Sequence, residues 1–186
     1  MAMNSLMKSK VCPFFSITLL SCFPGLSFAQ SGLESVGDLT QVIVPAYALG
    51  MAANEEGSEG VTQWSYSFAA TMATVYAIKS SLPVQRPDYE NGDRKDSFPS
   101  GHTAAAFSGA TFIHRRYGLE RAVGPYALAV FTGYTRIEAK RHRLGDVLVG
   151  ASIATAWTWA LVDEKAQVQV SVDRGQVALR YVLSLD

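Results

Sequence analysis

The chain has 186 residues, which is enough for one domain, and its 16 Lys and Arg residues balance its 16 Asp and Glu residues. A formal net charge of 0 gives no support for a nucleic-acid partner, which favours a basic protein surface. Both cysteines, Cys12 and Cys22, lie near the N-terminus, so a disulfide framework and cysteine-based zinc sites are excluded for the rest of the chain.

Residues 1–29 have the features of a secretory signal peptide. Lys8 and Lys10 precede an uncharged apolar stretch, and Ser27-Phe28-Ala29 resembles a small-x-small cleavage site. An uncleaved membrane anchor is an alternative, because the stretch approaches spanning length, and lipidation at Cys22 is a third. All three interpretations export the domain that follows, either to the periplasm or to a membrane with its active site on the exported side.

That domain, residues 30–186, contains five charge-free stretches rich in Ala, Leu, Val and aromatic residues. Helices that are apolar all round are buried in a core or in lipid, so an all-α bundle of about five core helices is predicted. The stretches are shorter than the roughly 20 residues that span a bilayer, and both a soluble and a membrane-spanning bundle remain open. The predicted helices are residues 39–54, 61–78, 103–113, 122–135 and 147–162.

After Glu164 the apolar pattern changes from helical to alternating. Apolar and polar residues alternate over 168–172 and again over 177–185, and residues 173–176 between them are typical of a turn. The pattern predicts a small C-terminal β-hairpin. Because an isolated hairpin is marginally stable, we expect it to pack on the bundle as a stabilising appendage, with partner binding as the alternative.

Three short motifs carry the side chains capable of chemistry. Together they supply three cations, two imidazoles and one carboxylate, a set suited to binding a phosphate, attacking it and protonating what leaves. Each motif alone is weak evidence, since solvated charges, a turn or a surface i,i+4 pair would produce the same residues. The motifs are Lys79-x6-Arg86-Pro87, then Pro99-Ser100-Gly101-His102, then Arg136-x5-His142-x3-Asp146.

The order and spacing of these motifs resemble the signature of the type 2 phosphatidic acid phosphatase and vanadium haloperoxidase family, K-x6-RP, PSGH and SR-x5-H-x3-D. The chain departs from it at Thr135, where the family usually has Ser. The resemblance implies a metal-independent, cofactor-free phosphatase that works through a phosphohistidine on a lipid phosphate or isoprenoid diphosphate. A vanadium-dependent haloperoxidase and a non-enzymatic phosphate-binding membrane protein are the alternatives.

The predicted catalytic roles follow from the chemistry of each side chain and agree with the resemblance. His142 is the expected nucleophile, and Asp146 is expected to accept its other imidazole N–H and so fix the tautomer. His102 is expected to protonate the departing alkoxide. Arginine forks and the free N–H groups of a helix start suit phosphate oxygens. The predicted phosphate-binding residues are Lys79, Arg86, Ser100, Gly101 and Arg136.

Four acidic residues crowd the segment before the second motif, namely Asp88, Glu90, Asp93 and Asp96. A metal-binding loop is one interpretation, but the spacing lacks the EF-hand pattern, so we predict a solvated loop and no metal site. The expected partners are a phosphate-containing small molecule or lipid and a membrane surface.

Overall fold

The computed structural model describes residues 25–87, 94–164, 167–173 and 176–182, and for residues 25–31 and 167–182 it describes the backbone alone. Most of the predicted leader, including Cys12 and Cys22, and the acidic residues at 88–93 lie outside the described residues. The predictions of a cleaved, retained or lipidated leader therefore stay predictions.

Five helices make up most of the described chain, so the predicted helical class is confirmed. Every helix is longer than predicted. The prediction used charge-free stretches alone, so it left out the helix ends whose charged residues form ion pairs in the folded protein. The helices are α1, Gly25–Glu56; α2, Ser58–Ser81; α3, Gly101–Tyr117; α4, Leu119–Glu138; and α5, Leu144–Leu161.

Two of the connections between helices consist of a single glycine. Gly57 separates α1 from α2 at φ 62°, and Gly118 separates α3 from α4 at φ 88°. A left-handed backbone is strained for residues with a Cβ, and glycine adopts it without that cost. These single-residue joints let one helix follow the other directly. The sequence had suggested longer polar connections at both places.

Helix α3 is the central element and packs against each of the other four helices. Most of its buried residues are small, with Ala104, Ala106 and Ala110 completely buried. One close contact is at Gly109, where an added Cβ would lie 2.7 Å from the backbone of Pro45 in α1. Small side chains therefore allow the helix backbones to approach one another closely.

Buried threonine hydroxyls connect the helices. Thr40 of α1 lies 2.7 Å from Thr132 of α4, and Thr111 of α3 lies 2.9 Å from Thr158 of α5, each pair joined through the Oγ1 atoms. Large apolar side chains face outward instead, among them Val42, Tyr66, Val130, Leu148 and Trp159. Small residues and hydroxyls inside with large apolar residues outside are typical of helices that pack within lipid.

Within the described residues, two helices are long and apolar enough to cross a bilayer by length and composition. They are residues Gly32–Glu56 of α1 and Leu144–Leu161 of α5. Together with the outward-facing apolar side chains, they favour the membrane interpretation that the sequence left open.

The end of the bundle that contains the Gly57 and Gly118 joints carries a cluster of ion pairs. Arg116 donates to Glu56, and each of these side chains is only 5% exposed. Arg121 lies 2.8 Å from Glu55 at the same end. The acidic end of α1 is therefore neutralised by the basic residues around the α3–α4 joint.

Beyond α5, the backbone of β1, Gln167–Asp173, pairs antiparallel with that of β2, Gln176–Val182. The side chains of these strands lie outside the described part of the structure. That the C-terminal hairpin packs on the bundle and stabilises it stays a prediction.

We predict that Gly109→Ala lowers the free energy of unfolding by about 1–3 kcal/mol, because the new methyl group would overlap the backbone of α1. Gly50→Ala, in the interior of α1, is the matched control, since an added Cβ there meets no atom within 4 Å outside its own helix turn and chain neighbours. The control should leave stability unchanged or raise it by about 1 kcal/mol through helix propensity. Thermal unfolding in detergent measures both, and equal stability of the two variants would contradict the close contact.

Candidate active site

The second motif forms the start of α3. The hydroxyl of Ser100 accepts a hydrogen bond from the backbone N–H of Thr103 at 3.5 Å, which makes Ser100 the N-cap of the helix. Its own N–H donates to the carbonyl of Asp146 at 2.9 Å. The Ser100 side chain is fully buried, so it shapes the turn from inside, and a direct bond from its hydroxyl to phosphate stays a prediction.

His142 lies in the connection between α4 and α5 and is only 3% exposed. Its Nδ1 atom is 2.6 Å from the carbonyl oxygen of Ser97. A carbonyl oxygen can only accept, so Nδ1 carries the hydrogen and the lone pair of the neutral ring is on Nε2. The backbone therefore fixes the tautomer that a nucleophile requires.

The structure corrects the predicted bond between Asp146 and His142. Asp146 Oδ2 lies 3.7 Å from Nδ1, beyond hydrogen-bond range, and instead accepts from Ser97 Oγ at 2.5 Å and from the N–H of Arg143 at 2.8 Å. The i,i+4 argument required both residues on one helix, but α5 begins at Leu144. Asp146 caps α5 and holds Ser97, while Ser97 holds the histidine.

The first motif places two cations beside one carboxylate. Lys79, in the last turn of α2, donates from Nζ to the carbonyl of Asp96. Arg86 donates to both carboxylate oxygens of Asp96, at 2.8 and 2.9 Å. Burial raises the pKa of Asp96, but the Arg86 hydrogen bonds and charge outweigh it and hold that pKa below its usual value. Asp96, predicted to be part of a solvated loop, instead lies at the site.

A cavity of about 210 Å³ lies between α1, α2 and the start of α3. Five of the predicted site residues meet on its wall, together with Asp96. The rest of the wall is less polar and is formed by Gln41, Met72, Val75 and Tyr76. The predicted residues on the wall are Lys79, Arg86, Gly101, His102 and His142.

The cavity wall keeps His142 neutral. Burial, the largest cause, and the positive charges of Lys79 and Arg86 together lower its pKa to about 4, against the Ser97 carbonyl and Asp146, which raise it. Above about pH 4 the Nε2 lone pair is therefore available.

Arg136 lies behind the cavity, near the end of α4, and is only 2% exposed. Its guanidinium donates to Asp38 Oδ1 at 2.8 Å, to the carbonyl of Glu34 at 2.6 Å and to Thr135 Oγ1 at 3.2 Å. The hydroxyl of Thr135 therefore orients the arginine. Arg136 is not among the described residues on the cavity wall, and its direct bond to phosphate stays a prediction.

Sequence reasoning missed three residues of this site. Ser97 precedes the second motif by two positions. Its role depends on its backbone carbonyl, which contacts His142 only in the folded protein. Asp96 was grouped with the acidic segment. Asp38 of α1 lies 3.0 Å from His102 Nε2, and only the packing of α1 on α4 brings it there. Among the described residues, no group of His, Cys, Asp and Glu side chains is arranged to bind a metal.

A sequence model of the PAP2 superfamily matches residues 60–165, from α2 to α5. Over 82 residues, 42% of the chain, the sequence is 45% identical to the lipid A 1-phosphatase of Porphyromonas gingivalis and covers 18% of that protein. Over 136 residues, 69% of the chain, it is 28% identical to the lipid A 4'-phosphatase of Helicobacter pylori and covers 67% of that protein.

Two solved structures share the fold. Aquifex aeolicus LpxE aligns with a TM-score of 0.60 and 23% identity, covering 76% of this chain and 88% of that one. The transmembrane PAP2 type phosphatidylglycerolphosphate phosphatase from Bacillus subtilis aligns with a TM-score of 0.54 and 20% identity, covering 75% of this chain and 76% of that one. At these identities the likeness is one of fold.

We predict that Ser97→Ala and Asp146→Ala destabilise the protein non-additively, because each removes the same hydrogen bond. The coupling in a double-mutant cycle on the free energy of unfolding should be about 0.5–3 kcal/mol. The control cycle combines Ser97→Ala with Thr158→Ala, which removes a buried hydroxyl further along α5. The two losses of stability in this cycle should be additive. Additive losses in both cycles would show that the Ser97–Asp146 bond contributes nothing.

Proposed function

The chain belongs to the PAP2 superfamily, as its motifs predicted, and from this membership we propose that it is a phosphatase that hydrolyses phosphate monoesters carried by lipids. The observation that carries the proposal is the cavity wall, where two cations and two imidazoles converge beside the start of a helix. This combination provides binding, nucleophilic attack and proton transfer without a metal ion.

Substrate binding relies on fixed positive charge. Lys79 and Arg86 offer N–H donors to the phosphoryl oxygens, and the start of α3 at Gly101 adds the positive end of a helix dipole. Charge on these oxygens changes during phosphoryl transfer, so preorganised cations stabilise the transition state as well as the bound ester. Asp96 holds Arg86 in place through both carboxylate oxygens.

The first chemical step transfers the phosphoryl group to His142. Its Nε2 lone pair attacks phosphorus, a P–N bond forms and the P–O bond to the departing alkoxide breaks. His102, in its protonated form, gives a proton to that oxygen, and the lipid alcohol leaves. The Ser97 carbonyl supports the positive charge that develops on the imidazole ring.

The second step returns the enzyme to its starting state. A water molecule attacks phosphorus, and His102, now neutral, takes the proton that the water loses. The P–N bond breaks, its electron pair returns to Nε2 of His142, and inorganic phosphate leaves. His102 is protonated again and ready for the next turnover.

The substrate class follows from the wall of the cavity and from the relatives. Met72, Val75 and Tyr76 make one side of the cavity apolar, which fits a phosphate attached to a lipid. The relatives in Porphyromonas gingivalis and Helicobacter pylori are lipid A phosphatases, so a phosphorylated glycolipid is the first substrate to test. The candidate spans in α1 and α5 support a position in the membrane, and an exported orientation of the cavity completes the proposal.

A substrate panel tests the activity. Purified full-length protein in detergent is assayed for phosphate release from lipid A, phosphatidic acid, undecaprenyl diphosphate and p-nitrophenyl phosphate. Turnover of a lipid phosphate that survives dialysis against EDTA supports the proposal. Activity lost to the chelator and restored by a divalent ion would contradict the metal-independent mechanism.

We predict that His142→Ala abolishes turnover of every substrate in that panel and leaves the fold intact. Wild-type protein quenched during turnover should contain an acid-labile, base-stable phosphoenzyme, and the variant should contain none. Substantial remaining activity in the variant, at unchanged thermal stability, would refute the assignment of the nucleophile.

His102 should matter in proportion to the basicity of the leaving group. An alkyl phosphate releases a strongly basic alkoxide, so His102→Ala should slow phosphoenzyme formation by about 100-fold to 10,000-fold. A nitrophenyl phosphate releases a stable phenolate and should be affected much less. Burst kinetics isolate this step from hydrolysis of the phosphoenzyme. Equal losses for both substrates would make His102 a binding residue and not a general acid.

A further inference from the structure

Helix α1 precedes the residues 60–165 that the family model matches, yet it brings a carboxylate to the cavity. Asp38 Oδ1 lies 3.0 Å from His102 Nε2 and 2.8 Å from Arg136 Nη1. One oxygen atom thus joins the histidine of the second motif to the arginine of the third. We infer that Asp38 is a positioning residue that orients His102 and stabilises its protonated form. The inference rests on the proposed function.

The packing of α1 on α4 fixes Asp38 in position. An added Cβ at Gly37 would lie 2.0 Å from Thr135 Oγ1, so the two helices touch at this glycine. On one side of the contact, the carbonyl of Glu34 accepts from Arg136 at 2.6 Å. On the other side, Thr40 Oγ1 is 2.7 Å from Thr132 Oγ1. Asp38 lies between these two bonds and has little freedom to move along α4.

The contact decides which nitrogen of His102 transfers a proton. An ionised carboxylate can only accept, so Nε2 carries a hydrogen toward Asp38. Nδ1 is then the atom that takes up and gives up the second proton of the ring. Asp38 therefore contacts Nε2 and influences the proton on Nδ1 through the imidazole ring. This is how a carboxylate orients a histidine that acts as a general acid or base.

The surroundings of His102 disfavour its protonated form, and Asp38 is the group that counteracts them. Burial lowers the pKa of His102, and Arg136 and Arg86 lower it further, whereas the charge and hydrogen bond of Asp38 raise it. The net effect is a lowered pKa, and without Asp38 the pKa of His102 would fall further and favour the neutral ring, which cannot act as an acid. The charged and titratable groups around His102 are Asp38 from α1, Lys79 from α2, Arg86 and Asp96 from the α2–α3 connection, Arg136 from α4 and His142 from the α4–α5 connection.

A different role for the same contact makes opposite predictions. The Asp38 side chain is 51% exposed and bonded to two groups that also suit a phosphate oxygen, so it could compete with the substrate. Removing a competing carboxylate would tighten phosphate binding and speed turnover. Removing a positioning carboxylate would slow the step that needs an acid and leave phosphate binding unimproved.

The test compares Asp38→Asn with wild-type protein. His102 must be protonated to donate, and the amide no longer raises its pKa, so the alkaline limb of the kcat/KM profile should move to lower pH. Phosphoenzyme formation from an alkyl phosphate should slow, but by less than the about 100-fold to 10,000-fold expected when the general acid is lost completely. The same step with a nitrophenyl phosphate should change little.

Asp38→Glu keeps the charge and should restore the alkaline limb in part. Glu120→Gln, an exposed residue at the opposite end of α4, makes the same change of charge and should have no effect.

A second measurement requires no turnover. The chain has three histidines, so the His102 ring can be assigned by NMR from the signal missing in His102→Ala and titrated directly in each variant. Asp38→Asn should lower the pKa of His102, and Asp38→Ser replaces it if the first variant does not fold. An unchanged titration, or faster turnover with tighter inhibition by vanadate, would overturn the inference. Wild-type protein that hydrolyses no panel substrate would refute the proposed function and leave the titration as an independent test of the Asp38–His102 pair.

Discussion

The geometry of the active site depends on one short segment, where Ser97 contacts two residues of the third motif. Its carbonyl oxygen accepts from His142 Nδ1 at 2.6 Å, and its hydroxyl donates to Asp146 Oδ2 at 2.5 Å. Three residues on, the N–H of Ser100 donates to the Asp146 carbonyl. His142, the proposed nucleophile, is therefore held by backbone that leads directly into the start of α3 at the cavity. A backbone carbonyl cannot change its protonation state, so the tautomer of His142 is independent of pH.

Burial and nearby cations lower the pKa of both histidines, but the two rings have different hydrogen-bond partners. His142 is buried beside Lys79 and Arg86 with a neutral carbonyl as its partner, which keeps the ring neutral. His102 is partly exposed and has an ionised carboxylate, Asp38, as its partner, which opposes the nearby cations. The proposed nucleophile and the proposed general acid thus lie on the wall of a single cavity with different partners.

The packing that supports this site is that of a membrane protein. Buried positions hold alanine, glycine and threonine, and large apolar side chains face outward. Close helix contact at Gly37 and Gly109 brings α1 against α4 and α3, and this contact is what delivers Asp38 to the site. At the other end of the bundle, the buried pair Arg116–Glu56 joins α3 to α1. Helix α1 is therefore held at both ends, although the family's signature lies entirely outside it.

The sequence by itself determined the family, the helical class and five residues of the cavity wall, because short motifs at fixed spacing encode local turns and helix starts. The motifs also placed His142 on the cavity wall, while its role as nucleophile stays a proposal. It could not give the helix ends, because charges such as Arg116 and Glu56 neutralise each other only after folding. The role of Asp146 was misassigned for a related reason: the i,i+4 rule holds within a helix, and α5 begins after His142. The contributions of Ser97, Asp96 and Asp38 were decided by tertiary structure alone, because each depends on contacts between elements far apart in the chain, for which spacing carries no signal.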